Sequence, residues 1–430
     1  MNSCFFGGGS ILLPNCDLSV WSTIACDQFT SDDSYWAEVT AMAEGRPSAY
    51  HITLPEIYLK EGPASVEQRI ASINRTMRQY LSDGLFRAYP DAMIYLERTL
   101  ADGRVRKGLL GLVDLEQYDY HRGASSYIRA TEETVLERIP PRVKIRRGAS
   151  LELPHLMLLL DDPNRELIEV LSERKGAYTP VYDFDLMMRS GHVSGFLLDE
   201  QAKDYVSQAM LRFSDPAYFQ NKYATDASPL VFAVGDGNHS LASAKECYEA
   251  LKQTLGAEVA AHHPARYALA ELVNLHDPSL DFEPIYRLIS GVELDTLLAF
   301  LRQQAPDFHG GGSKPGEISL YFQSELERRT LSISVPSGML PVSVLQPLLD
   351  QFLSAHPEAS IDYIHGLDTI RALAKEPGNI AVTFQGMRKA DLFPGIIQGG
   401  VLPRKTFSMG HAEDKRFYLE ARRILPEAAL

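Results

Sequence analysis

Cysteine is scarce in this chain of 430 residues: Cys4, Cys16, Cys26 and Cys247, with no Cys-x-x-Cys pair. That spacing excludes a disulfide framework, a cysteine zinc ribbon and a dithiol redox motif. Long apolar runs are also missing. The longest strongly apolar piece, Leu156 to Leu160, stops at Asp161-Asp162, far short of the roughly 20 residues of a membrane helix. Positive charge is in deficit, with 42 Lys+Arg against 56 Asp+Glu and a formal net charge of −14. A broad nucleic-acid footprint needs clustered Lys and Arg, so neither nucleic acid nor membrane is an expected partner. The first basic residue is Arg46, so no secretory signal or transit peptide is expected, and the reading is a cytoplasmic protein. What remains is ordinary globular composition, 45% hydrophobic and 23% charged, able to bury a large core.

Periodicity predicts a mixture of elements. Helices are expected near 34–43, 66–81, 131–138, 200–213, 294–304, 344–354 and 412–424. Pro140-Pro141 is read as the stop of the helix at 131–138. The last helix has its acids early (Glu413, Asp414) and its arginines late (Arg422, Arg423), as a helix dipole favours. Strands are expected at 49–54, 155–160, 181–187, 265–275 and 379–384. Hairpins are expected at 92–98/106–115 around Asp102-Gly103 and at 318–322/330–335. The fold class that fits is α+β or mixed α/β. The expected organisation is an N-terminal α/β region (1–225), a strand–turn–helix core segment (226–290) and a C-terminal α+β region (291–430) with a ligand-facing loop at 402–411.

The densest chemistry lies in Leu230-Val-Phe-Ala-Val-Gly-Asp-Gly-Asn-His-Ser240. A buried strand runs into a glycine turn and then a helical pattern, the layout of an anion site. It is not the dinucleotide fingerprint, because the third glycine position holds Ser240, and no Gly-Lys-Ser/Thr follows for a P-loop. A calcium loop starting at Asp236 fails at Leu241 and Cys247, where Gly and Glu are needed. What remains is a cradle of Gly235, Gly237, Asn238 and Ser240 for phosphate oxygens. His239 would donate to the phosphate, and Asp236 would act as a base or hold Mg2+ beside it. A plain turn, with Asn238 or Ser240 as helix cap, accounts for the same residues.

Other candidates are spread along the chain. Arg404-Lys405 reads as a second anion clamp, with Ser408 on the same ligand-facing loop, or as a solvated basic pair. Arg129 could reach a substrate anion and Glu132 could serve as a general base, although Thr131 with Glu132 and Glu133 also makes an ordinary helix start. Glu56 could hold a substrate amine or be an exposed loop acid, and Asp27 and Gln28 share that ambiguity. His262-His263 lacks metal-ligand spacing.

Several segments together resemble the domain-of-unknown-function 1015 family: Ala25-Cys-Asp-Gln-Phe-Thr-Ser31 with Tyr35-Trp36, Leu54-Pro-Glu-Ile-Tyr-Leu59, Tyr95-Leu-Glu-Arg-Thr-Leu100, 128–142, Tyr182-Asp-Phe-Asp-Leu-Met-Met188, the Gly-Asp-Gly-Asn-His loop and Leu402-Pro-Arg-Lys-Thr-Phe-Ser-Met-Gly410. They run in order along nearly the whole chain, and the family name carries no activity. Residues 229–244 are also similar to the phosphate-binding segment of the ParB/sulfiredoxin superfamily, where a strand and Gly turn lead to a helix that holds nucleotide phosphates. Many members carry Arg after the His, where this chain has Ser240. The reactive sulfiredoxin Cys would fall at Asn238, so sulfinic-acid repair is not implied. The resemblance implies a nucleotide- or phosphometabolite-binding enzyme, with an amino-acid-like hydroxyl as phosphoryl acceptor and Mg2+ with the nucleotide as cofactor. Two rivals use the same cradle: a phosphatase, and a non-catalytic nucleotide-binding regulator. The sequence specifies neither the oligomeric state nor a protein metal site.

Overall fold

The computed structural model describes residues 5–132, 139–305, 308–310, 317–335, 340–403 and 405–426. It is a mixed α/β protein whose chain divides into two compact units. The first comprises Met1–Ala130, Thr134–Leu280 and His411–Leu430, and the second Thr131–Glu133 and Asp281–Gly410. No boundary falls at 225, because strands from both sides of that position share one sheet. Among the described residues no helix is long and apolar enough to cross a membrane.

The first unit is built on a ten-stranded sheet. Its strands are β1 (Phe6–Gly7), β2 (Ile94–Thr99), β3 (Val105–Asp114), β4 (Tyr118–Asp119), β5 (Ile128–Ala130), β6 (Met157–Leu160), β7 (Thr179–Asp185), β8 (His192–Leu197), β9 (Phe232–Asp236) and β10 (Tyr267–Asn274). The order is β7-β8-β2-β3-β10-β6-β9-β5-β4, with β1 added on β3. β9 lies parallel to β5 (Ala233 opposite Arg129) and antiparallel to β6 (Ala233 opposite Leu159). β6 and β9 are central, and their runs Met157–Leu160 and Phe232–Val234 are wholly buried. They therefore read as continuous apolar runs, not as alternation. The helices used below are α1 (Asp33–Ala43), α2 (Pro63–Ser82), α3 (Ile139–Arg147), α4 (Glu200–Phe213) and α5 (Asn238–Leu255).

The second unit has a smaller sheet of β11 (Phe282–Ser290), β12 (His309–Gly310), β13 (Glu317–Gln323), β14 (Arg328–Ser334), β15 (Ser360–His365), β16 (Asn379–Phe384) and β17 (Phe407–Met409), with helices α6 (Leu294–Gln304) and α7 (Pro341–Ala355). The strand order is β12-β14-β13-β16-β11-β15, and β17 pairs with β11.

Three expectations are corrected. Pro140-Pro141 does not stop a helix; it lies in the first turn of α3. That turn is where proline's missing N–H costs nothing, and most of the expected helix at 131–138 falls outside the described residues. Residues 49–54 are not a strand; Ala49–Ile52 is a 3-10 turn capped by Ser48, whose hydroxyl accepts from Tyr50 N at 3.3 Å. The expected helix at 412–424 is absent: a 3-10 turn at Ala412–Asp414 leads to short strands Phe417–Tyr418 and Arg422–Arg423, paired with Thr23–Ile24 and Leu151–Glu152. This stretch is almost wholly buried, and its charges go to tertiary partners. Arg416 donates to Glu271 at 2.8 Å and to Glu420 at 2.7 Å.

Candidate functional site

β9 ends at Asp236, and α5 begins at Asn238. Between them Gly237 adopts φ 82° and ψ 23° and caps the helix with no side-chain hydrogen bond. Glycine is required here twice over. The left-handed backbone disfavours other residues, and an added Cβ would approach Leu156 Cα to 3.2 Å. Neither Asn238 nor Ser240 is the helix cap, so the plain-turn account loses its capping residue. The first intrahelical bond runs from Leu241 N to Gly237 O at 3.0 Å, so the N–H groups of the first turn have no intrahelical acceptor.

Side chains gather around this turn from distant parts of the first unit. Asp236 Oδ1 accepts from Gly237 N at 2.9 Å, and Oδ2 lies 3.4 Å from Lys415 Nζ. Ser240 Oγ is 3.2 Å from His155 Nε2, and His155 Nδ1 is 2.9 Å from the Tyr418 hydroxyl, which also accepts from Cys26 N at 3.2 Å. His155 and Tyr418 are buried. Asp27, bonded by Gln28 Nε2 at 3.0 Å, is close to this chain. Burial pushes its carboxyl up, but His155, Gln28, Arg142 and Lys415 outweigh burial and leave it below the usual range. Burial, reinforced by Asp27, pushes the Cys26 thiol up to about 12, so it is not a thiolate nucleophile at neutral pH. Ser240, His155, Tyr418 and Cys26 open onto a cavity of about 160 Å3.

The other sequence candidates are placed as follows. Glu56 is half-buried and ion-paired with Arg142 of α3, a wall residue of the same cavity. Arg129, in β5, is buried and donates to Ser126 O (2.9 Å), Ser228 O (2.7 Å) and Pro229 O (3.3 Å). Its guanidinium ties the residues that lead into β9 to one another. The His239 carbonyl accepts from Ser243 Oγ at 2.7 Å within α5.

Glu132, Lys405 and Ser408 belong to the second unit, so they are not in the unit that carries the turn. Glu132 accepts from Thr406 N at 3.2 Å. Burial raises its carboxyl above the usual glutamate range although the Lys405 and Thr406 N–H groups work against the rise. Lys405 is exposed at φ 57°, and its carbonyl accepts from the fully buried Arg287 at 2.9 Å. Ser408 Oγ donates to Gly410 O at 3.3 Å. Arg404 lies outside the described residues.

Sequence reasoning missed His155, Lys415 and Tyr418. His155 follows Pro154 at the mouth of a buried strand, which is a legible if weak signal. Lys415 and Tyr418 were hidden inside what reads as an amphipathic helix. Among the described residues no group of three or more His, Cys, Asp or Glu could hold a metal ion. A Mg2+ carried by phosphate oxygens needs only one or two protein carboxylates, and Asp236 is a hard oxygen donor of that kind at the turn.

The chain matches the family described as "Protein of unknown function (DUF1015)" over residues 11–352. No curated protein matches it. Solved structures with some likeness include a free serine kinase in complex with AMP (11% identity, TM-score 0.39, 74% of this chain and 92% of that one). A conserved hypothetical protein from Pyrococcus furiosus has 11% identity and a TM-score of 0.37, with 73% and 94% covered. SbnI with C-terminal truncation from Staphylococcus aureus has 9% identity and a TM-score of 0.37, with 74% and 88% covered. Likeness at these TM-scores carries no argument about this chain's chemistry.

Proposed function

The chain belongs to this family, and from that premise we propose that its first unit binds the phosphate groups of a nucleotide or phosphorylated metabolite at the 235–240 turn and transfers a phosphoryl group to a small hydroxyl-bearing molecule. The observation that carries the reading is the Gly237 cap. It starts α5 without a side-chain cap, with Lys415 and Ser240 beside the same helix start. A helix N-terminus and a cation together favour an anion.

In this reading the first-turn N–H groups, the Ser240 hydroxyl and His239 hold phosphate oxygens. Lys415 supplies the positive charge that Arg404-Lys405 was expected to bring. Asp236 takes the acceptor's proton or binds Mg2+, whose chemistry would be to neutralise charge on the transferred group. The test is a thermal-shift screen of nucleotides and phosphometabolites with and without Mg2+. A ligand at 100 times its Kd stabilises by about 2.7 kcal/mol. The wild type is expected to shift and a His239→Ala/Ser240→Ala variant to shift less. Equal shifts, or none from any phosphate compound, overturn the reading. Phosphate release from the bound nucleotide without an acceptor would redirect it to a phosphatase.

A further inference from the structure

The cavity beside the turn has a mostly apolar wall, including Leu54, Met77, Leu241 and Leu269, and, besides the Arg142–Glu56 pair, a second charged feature that the phosphate reading does not use. Arg146 of α3 directs Nη1 to Glu152 Oε2 at 2.5 Å. Glu152 is shared: its Oε1 also accepts from Arg422 Nε at 2.8 Å and from Leu269 N at 2.8 Å. Burial works against the Glu152 charge, but Arg146 and Arg422 hold the carboxyl down to about 2. With Glu152 taken up in this way, Arg146 Nε and Nη2 are buried and have no hydrogen-bond partner among the described residues. Those two nitrogens form one edge of the guanidinium, two parallel N–H donors at the spacing of carboxylate oxygens. A buried donor pair without an acceptor is costly unless something supplies one. Ser240 and His155 provide a polar lining elsewhere in the same cavity.

We propose that this cavity binds a small carboxylic acid with an apolar body, its carboxylate on the Nε/Nη2 edge of Arg146 and its apolar part against Leu54, Met77, Leu241 and Leu269. The size follows from the volume: about 160 Å3 is close to the roughly 150 Å3 apolar cavity that accepts benzene. Phenyl- or branched-alkyl-substituted acids fit, and a 2- or 3-hydroxy acid would bring its hydroxyl toward Ser240 and His155. Binding of the acid stands by itself. Its role as phosphoryl acceptor rests on the phosphotransfer reading above.

The test is calorimetric titration of the full chain with phenylacetate, 3-phenyllactate, benzyl alcohol, acetate and phenyl phosphate. The two aromatic acids are expected to bind saturably, benzyl alcohol at least tenfold more weakly, and acetate not at all. Arg146→Met should bring phenylacetate to the level of benzyl alcohol. Ala244→Leu, which fills the cavity from α5, should abolish binding of both; Ala268→Val serves as the second cavity-filling variant if the first does not fold. Equal affinity for phenylacetate and benzyl alcohol, tighter binding of phenyl phosphate than of phenylacetate, or undiminished binding in the filled variant overturns the proposal. The nucleotide thermal shift should survive in the filled variant. Acid binding in a protein that no nucleotide stabilises would sink the phosphotransfer reading and leave the acid site standing.

Discussion

The turn at 235–240 in the first unit and the loop at 402–410 in the second both read from sequence as anion clamps, yet they are built on opposite terms. The loop satisfies its own polar groups. Lys405 and Thr406 N–H groups go to Glu132, the Lys405 carbonyl to Arg287, and the Thr406 hydroxyl to Pro403 O at 2.5 Å. The turn instead starts a helix on a glycine that offers no side-chain cap, and His155 and Lys415 arrive beside it from two distant stretches of chain. Basic residues in a loop do not make an anion site when the fold has already engaged the loop's polar groups. A glycine cap begins a helix at the turn, where first-turn N–H groups and convergent polar side chains face the same point.

The sharpest way to break this contrast is Arg287→Met. Arg287 is fully buried and serves Gln346 Oε1 at 2.8 Å, Lys405 O at 2.9 Å and Ile285 O. Stranding those acceptors should cost about 3 kcal/mol or more. Both tryptophans, Trp21 and Trp36, lie in the first unit. Urea unfolding should therefore show a circular-dichroism transition moved to lower urea while the tryptophan transition stays near its wild-type midpoint. If the two move together, the units are one cooperative block and the contrast between them loses its energetic meaning.

Gly237→Ala is expected next in size. The left-handed backbone costs a residue with a Cβ about 1–2 kcal/mol, and crowding against Leu156 adds to it. Gly84→Ala is the control, with φ 67° at a helix C-terminus but nothing within 4 Å of the added carbon. Chemical denaturation should rank Gly237→Ala as the more damaging, and it should also lose the nucleotide thermal shift, which Gly84→Ala keeps. Similar losses in both would reduce Gly237 to a backbone requirement alone.

A smaller effect is expected at Glu132, and its sign can be worked out. Burial raises the carboxyl in the folded state, so the unfolded chain ionises first as pH rises. Stability from this group is complete below the ordinary glutamate pKa and is lost as pH climbs through the raised one. Glu132→Gln keeps an oxygen for the Thr406 N–H and removes the charge. It should therefore match or exceed the wild type at neutral pH, with the gap closing below about pH 4. A variant that is less stable at pH 7 would mean the ionised carboxylate is what holds the loop.

Ser240→Ala should perturb the fold least, within about 1 kcal/mol, and still reduce the nucleotide shift. An undiminished shift would remove the hydroxyl from the phosphate site and leave it as a partner of His155.

The parts of the fold that were legible are those where local pattern and tertiary burial agree. α4 and α6 occupy Glu200–Phe213 and Leu294–Gln304, as their apolar spacing predicts, and both hairpins form. The strand–glycine–helix turn was legible because a buried strand must end and a helix must begin within two residues. Arg129 and Glu56 were ambiguous for a physical reason. A charged side chain in a loop looks the same in sequence whether it meets substrate, a carbonyl cage or another charge.

What the sequence by itself determined is a mixed α/β chain with a strand, a glycine turn and a helix start at 235–240, because backbone sterics and apolar periodicity act over a few residues; that Gly237 is the cap came from the structure. What only the tertiary structure decided is which side chains attend that turn. Residues 412–424 have good helix periodicity, yet they fold as extended pieces. There Arg416 and Arg422 find buried carboxylates and carbonyls on distant segments, Glu420 accepts from the Tyr182 hydroxyl at 2.7 Å, and Tyr418 and Lys415 are delivered to His155 and Asp236. Propensity differences of a few tenths of a kcal/mol per residue cannot compete with buried ion pairs and apolar contacts across the sheet, and those partners lie 145 to 270 residues away along the chain.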